Sequence, residues 1–154
     1  MPIVKMPVYT NPGVDRHLNV LVACEYSGRV RDAVTQRGHH AVSVDFLPSE
    51  TPGEHYRGDV RDIMDNGWDL MIAFPPCTYL ANSGNRWHAG SRERVEALEF
   101  IRILMNAQIP HIAIENPYGA ISSHIRKPDQ IIQPWMFGHG ESKGTCLWLK
   151  GLPK

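Results

Sequence analysis

A cysteine set behind two prolines, in Phe74-Pro75-Pro76-Cys77-Thr78, is the residue of this sequence best suited to nucleophilic chemistry. It follows Asp69-Leu70-Met71-Ile72-Ala73-Phe74, an apolar run that reads as a buried strand and is stopped abruptly by the prolines. A thiol just beyond a strand can sit in a polar crevice, where backbone N–H groups or a basic neighbour raise its thiolate fraction. The plainer reading is a small residue filling a turn, and taken alone it is the favoured one. Glu115-Asn116-Pro117 ends the next strand, His111-Ile112-Ala113-Ile114-Glu115. A carboxyl group there could protonate or hydrogen-bond a ring nitrogen if burial kept it neutral. A cap or turn residue explains it equally well when it is judged by itself.

Three other strand ends carry groups of interest. Asp45 closes Ala41-Val42-Ser43-Val44-Asp45, where a carboxylate can accept hydrogen bonds from ribose hydroxyls or simply make an Asx turn. Gly58-Asp59-Val60 could contact an adenine amine, with an ordinary turn as the alternative. Cys24-Glu25-Tyr26-Ser27-Gly28 forms the first strand-to-helix turn, but one glycine makes a weak nucleotide signature. The histidines, His39-His40 included, lack ligand spacing with Cys or carboxylates, so no metal site is expected.

The elements that must position these groups can be read from periodicity. Leu18 to Ala23 is the first strand, and Arg29 to Arg37 a helix with Val30, Ala33 and Val34 inward, ending at Gly38. Leu47 to Gly58 is expected to be mostly loop, Val60 to Met64 a short helical or turn element, and Gly84 to Gly90 a loop. Ser91 to Asn106 reads as an amphipathic helix with Val95, Leu98, Ile101, Leu104 and Met105 on one side. Ser91 can cap it, without a full capping box because Arg94 stands three residues on. Residues 120 to 135 read as weak helix or loop, and Thr145 to Leu149 as a last strand. Such alternation predicts an α/β domain with a mainly parallel sheet and helices on both faces, whose ligands bind beyond the carboxyl ends of the strands. Every candidate above falls at one of those ends.

The 154 residues suit one domain, residues 18–154, after a Pro-rich lead-in over 1–17. No apolar run is long enough for a membrane helix, and three cysteines at irregular spacing fit a reducing, intracellular compartment rather than a disulfide framework. Sixteen basic and sixteen acidic residues give a net charge of zero, which argues against tight, autonomous binding of duplex DNA. Arg86, Arg92, Arg94, Arg102, Arg126 and Lys127 leave room for a local basic patch.

Taken in order, these pieces resemble the catalytic core of the cytosine-5 DNA methyltransferase family, from about Leu18 to Leu149. Phe74 to Gly84 is similar to its Pro-Cys nucleophile loop, Ile114-Glu115-Asn116-Pro117 to its Glu-Asn-Val motif, and Gly58-Asp59-Val60 to its Gly-Asp-Ile element. Ser142-Lys143-Gly144-Thr145-Cys146-Leu147-Trp148-Leu149 resembles the arginine-containing motif and its strand, with Lys143 and Thr145 near the positions of two arginines. The family's Phe-x-Gly-x-Gly turn is replaced by one holding Glu25 and Tyr26, and Pro75 is an extra proline.

The resemblance implies a Rossmann-like methyltransferase fold without a target-recognition domain. It also implies methyl transfer from S-adenosyl-L-methionine to carbon 5 of cytosine in DNA, with the target base flipped out of the stack. By the same resemblance Cys77 and Glu115 would be catalytic, and the cofactor would meet Cys24, Glu25, Tyr26, Ser27, Gly28, Asp45, Asp59 and Pro75. Pro76, Thr78, Ser83, Asn116 and Lys143 would touch the target. The expected partner is DNA, held weakly unless a homodimer or partner subunit supplies contacts, in the cytoplasm of a bacterial or phage-infected cell. Two alternatives stay open: a non-catalytic module that keeps a cofactor or nucleotide pocket, and an enzyme acting on free cytidine nucleotides.

Overall fold

The computed structural model describes residues 16–154; residues 1–15, most of the expected lead-in, lie outside the described residues. The chain divides into two compact units, one holding the chain up to Ile72 with Gln108–His111, the other Ala73–Ala107 with Ile112–Lys154.

In the first unit β1 (Asn19–Ala23) leads into α1 (Arg29–Gln36), β2 (His40–Asp45), β3 (His55–Arg57) and β4 (Leu70–Ala73), in the sheet order β3-β2-β1-β4. β1 and β2 pair in parallel with Ala23 opposite Val44, and β2 and β3 in parallel with Asp45 opposite Arg57. Val20, Leu21, Val22, Val42 and Val44 are all buried, the continuous apolar pattern of strands covered on both faces. β3 falls where a loop is expected. Its residues, His-Tyr-Arg, carry no apolar alternation, so its pairing comes from the open edge of β2 and not from its own propensity.

The helix α1 also departs from expectation. Val30, Ala33 and Val34 are only half-buried, and the residue sealed inside is Arg31. Its guanidinium donates to Ser43 Oγ (2.9 Å), Ser49 Oγ (3.0 Å), Thr51 Oγ1 (2.8 Å) and the Pro52 carbonyl (3.2 Å), and pairs with Asp32. A buried charge is tolerable only when it is so fully bonded, and here it ties the 49–52 loop to β2. Gly28 (φ 78°) makes room for it, because a Cβ there would lie 2.1 Å from Thr51 Oγ1 and 2.6 Å from Arg31 Nη2.

In the second unit α2 (Asn85–His88) and α3 (Arg92–Met105) precede β5 (His111–Pro117), α4 (Ala120–His124), β6 (Gln130–Ile132) and β7 (Thr145–Lys150). Ser91 caps α3 by accepting the Arg94 N–H at 3.1 Å. Leu98, Ile101 and Leu104 are buried as expected, whereas Val95 is exposed and Arg94 points inward, which removes Arg94 from any surface basic patch. The order is β5-β7-β6, with β7 antiparallel to both neighbours. The seven strands are those of a mixed sheet in which β1, β2 and β3 run parallel and β7 is the reversed strand. β6 and β7 are joined through a 3-10 turn alone, without the crossover helix that parallel neighbours usually need.

Candidate active site

In the first unit the parallel register of β1, β2 and β3 brings their carboxyl ends side by side. Glu25 N–H donates to the Val44 carbonyl (3.2 Å) and Gly58 N–H to the Asp45 carbonyl (2.9 Å), so Cys24, Asp45 and Asp59 gather at one edge. Cys24 has a left-handed φ of 60°, a strained turn for a residue with a side chain. Burial, with Asp45 and then Asp59 nearby, pushes its thiol up to about 12. It is inert as a nucleophile.

The carboxylates here are not equally available. Glu25 accepts from Val30 N–H (2.6 Å), Arg31 N–H (3.2 Å) and Ser27 Oγ (3.0 Å), while Arg29 N–H donates to Ser27 Oγ (3.2 Å). Glu25 and Ser27 thus bind the opening amides of α1, the place where other α/β proteins bind phosphate. Asp59 accepts the Arg61 N–H (2.9 Å) and is gripped by the Arg61 guanidinium (2.6 Å), which holds its carboxyl below the usual range. Asp45 takes only the Leu47 N–H (2.9 Å), the Asx turn weighed above; its second oxygen has no hydrogen-bond partner among the described residues. Beside it the Phe46 ring is 69% exposed and Tyr26 is exposed as well. Phe46 was missed in sequence because one aromatic after a strand has no periodicity to mark it.

The second unit contains a cavity of about 540 Å³ lined by Pro75, Pro76, Cys77, Glu115, Asn116 and Lys143, all of them singled out in the sequence. Cys77 is exposed, not sealed in the core. Thr78 and Ser83 are also exposed but do not line the cavity; Ser83 lies in the 3-10 turn Asn82–Gly84. The remaining wall comes from Phe74, Pro117, Gly144, Thr145 and the segment Ile132-Gln133-Pro134 with Phe137. That segment belongs to the stretch that was ambiguous by periodicity, so its residues were not picked out.

Several bonds hold this wall in place. Asn116 is buried and donates to the Pro75 carbonyl (2.9 Å), linking the end of β5 to the proline turn. Thr145, opposite Pro117 in the β5–β7 pairing, donates its hydroxyl to Glu115 Oε1 and leaves Oε2 without a partner among the described residues. Thr145 is a positioning residue that sequence reading treated only as a thinned arginine position. The loop after Cys77 is fastened by an isolated bridge between Ala81 and Gly119, by Ala120 N–H to the Leu80 carbonyl (2.7 Å) and by Asn82 N–H to the Tyr118 carbonyl (2.9 Å). Buried Arg94 adds its Nε to the Tyr79 carbonyl at 2.6 Å. Two buried acceptors of the lining residues, Asn116 Oδ1 and Gln133 Oε1, have no partner among the described residues. Such orphans cost roughly 1–3 kcal/mol each until a donor reaches them. Among the described residues no group of His, Cys, Asp and Glu could hold a metal ion, and no helix is long and apolar enough to cross a membrane.

The chain has the Rossmann-like methyltransferase fold. Its structure is similar to that of the S. pombe Dnmt2 methyltransferase, at 19% identity and a TM-score of 0.60, over 90% of this chain and 52% of that one. It is also similar to WbdD, at 12% identity and a TM-score of 0.52, over 88% of this chain and 36% of that one. A second WbdD structure, described as a bifunctional kinase-methyltransferase, matches at 12% identity and a TM-score of 0.50, over 86% and 35% of the two chains. The chain thus spans about half the length of the Dnmt2 structure and about a third of WbdD. No protein-family model and no curated protein matches the sequence.

Proposed function

We propose that this protein transfers a methyl group from S-adenosylmethionine to carbon 5 of a cytosine in DNA through a covalent bond to Cys77. The observation that carries the reading is the meeting of Cys77 and Glu115 in the wall of one cavity of about 540 Å³, ample for a pyrimidine nucleoside. An exposed thiol supplies the nucleophile. Glu115, oriented through one oxygen by Thr145, keeps the other to accept an N–H of the exocyclic amine. Cys77 adds to carbon 6 and electron density moves to carbon 5, which takes the methyl as its bond to the sulfonium breaks and a thioether leaves; loss of the carbon 5 proton to water then restores the ring double bond and expels the thiolate.

The cofactor reading passes a test of its own. With the α1 amides taken by Glu25 and Ser27, a phosphate would meet a carboxylate where it needs donors, so a dinucleotide is disfavoured. An adenosine without phosphate escapes that conflict. The free oxygen of Asp45 suits its ribose hydroxyls and the exposed Phe46 its ring face, with the Cys24–Gly28 turn alongside. S-adenosylmethionine supplies an electrophilic methyl group when bound. Asp59, already paired with Arg61, contributes to the turn more than to the ligand.

The test is transfer of label from S-adenosylmethionine to cytosine-containing DNA, with 5-fluorocytosine DNA as a trap. Wild type should transfer label and leave a covalent adduct that Cys77→Ser abolishes. Binding of the cofactor without transfer to any substrate would replace this reading with a non-catalytic module. A second reading, action on free cytidine nucleotides, is favoured by the net charge of zero and by Lys143 being the single cationic residue of the cavity lining among the described residues. Label appearing in cytidine monophosphate and not in DNA would establish it.

A further inference from the structure

We propose that the rim of the second unit's cavity is a stacking platform for unpaired nucleobases, so that the polymer this chain binds is a single strand and not a duplex. The proposal deepens the base-pocket reading and rests on it. Five aromatic side chains are exposed here: Tyr79, Trp87, Tyr118, Trp135 and Phe137, with Trp87 73% and Phe137 66% accessible. Tryptophan is normally well covered in a folded domain, and large exposed apolar groups gathered in one region mark a binding surface.

Two of the rings touch the cavity wall, and the other three stand on the segments that follow or flank it. Phe137 lines it, and Trp135 stands in the same 3-10 turn, Pro134–Phe137. Tyr118 packs on Gly144, another lining residue, where a Cβ would lie 2.6 Å from the tyrosine ring. Tyr79 belongs to the loop that follows Cys77 and meets the His88 ring edge-on, 4.7 Å between centroids. One residue earlier in α2, Trp87 carries the Arg86 guanidinium 5.1 Å from its ring centre.

Rings interleaved with Arg86 and Lys143 match the chemistry of an unpaired strand, whose bases offer π faces and whose phosphates need occasional cations. A duplex keeps its base faces inside the stack and demands the basic surplus that a net charge of zero does not provide. Stacking therefore explains how a chain without that surplus could hold a polynucleotide. Deoxyribose and ribose strands present the same faces, so the test includes both.

The experiment is fluorescence anisotropy of the full chain, without cofactor, against a short cytosine-containing oligonucleotide as single-stranded DNA, as RNA of the same sequence, and as the annealed DNA duplex. One of the two single strands should bind at least about ten-fold tighter than the duplex. Trp87→Ala and Trp135→Ala should each weaken that binding about ten-fold; both side chains are exposed, and circular dichroism would verify that the variants fold. Equal or tighter duplex binding, or unchanged affinity in both variants, would overturn the proposal. So would a chain that binds no oligonucleotide and sediments as a dimer which either substitution dissociates. Single-strand binding with no methyl transfer would overturn the function proposed above and leave this inference standing. Methyl transfer with the duplex preferred would do the reverse.

Discussion

Replacing Gly119 with alanine tests whether the Cys77 loop is held where the structure places it. The backbone at Gly119 is extended (φ 173°), a conformation alanine adopts without strain, so only space is at issue. A Cβ there would lie 1.8 Å from the Leu80 carbonyl oxygen, 2.8 Å from its carbon and 2.9 Å from Ala81 Cα. All three are backbone atoms, and the Leu80 side chain is fully buried, so the loop must retreat by more than an ångström. That movement strains or breaks the Ala120–Leu80 and Asn82–Tyr118 hydrogen bonds. Overpacking at about 1–3 kcal/mol, with two bonds worth about 1 kcal/mol each, puts the loss at about 3–5 kcal/mol. For a chain of this size, the thermal unfolding midpoint followed by circular dichroism should fall by about 6–20 °C. If the loop detaches locally, the melting change shrinks, but an ångström of misplacement should slow trapping of Cys77 by 5-fluorocytosine DNA about 100-fold. A Gly119→Ala protein with unchanged melting and unchanged trapping would refute the account of how this loop is fixed.

Three further outcomes follow from the same structure. Under native conditions iodoacetamide should modify exposed Cys77 first and spare Cys24, whose thiol is pushed up to about 12, and buried Cys146, whose thiol is also raised by burial; peptide mapping that finds Cys24 first would contradict this. Thr145→Val should lower kcat about ten-fold or more with little change in KM or melting temperature, because it frees Glu115 to rotate; a variant that only melts earlier would show the hydroxyl to be structural. Asp129 is held below the usual carboxylate range by the Leu149 N–H (2.7 Å) and the Arg126 guanidinium. Its stabilisation is complete above the unfolded pKa near about 4 and is lost as pH falls through the lower folded value. Denaturant midpoints of Asp129→Asn and wild type, compared from neutral pH downward, should therefore converge in acid.

What could be read from the sequence was what depends on local pattern. The buried strands of the first unit announce themselves as unbroken apolar runs, and the Ser91 cap by residue type alone. Because every candidate was tied to a strand end, the meeting of Cys77, Glu115 and Asn116 followed from topology. What was missed depends on partners distant in the chain. Arg31 and Arg94 look like surface charges until Thr51, Ser43 and Tyr79 are seen to claim them. β3 has no pattern of its own and exists because β2 offers an edge. The segment from Gln130 to Phe137, which supplies four of the fourteen residues of the cavity wall, mixes a three-residue strand with a 3-10 turn, and neither is long enough to carry a period.

The carboxylates at the strand ends illustrate why residue type alone under-determines a site. Glu25, Asp45, Asp59 and Glu115 all stand where an α/β sheet presents its ligands, yet their hydrogen bonds divide them. Glu25 has both oxygens engaged by the first turn of α1, and Asp59 is clamped by Arg61. Asp45 and Glu115 are each oriented through one oxygen, by the Leu47 N–H and the Thr145 hydroxyl, and keep the other open. A carboxylate with both oxygens bound to its own chain is part of the scaffold, because releasing it would strand donors that cost about 1–3 kcal/mol each. One with neither bound would wander among rotamers and lose entropy on meeting a ligand. The half-engaged pair avoids both penalties, one in each unit, which is the division expected if one carboxylate serves a ribose and the other a base.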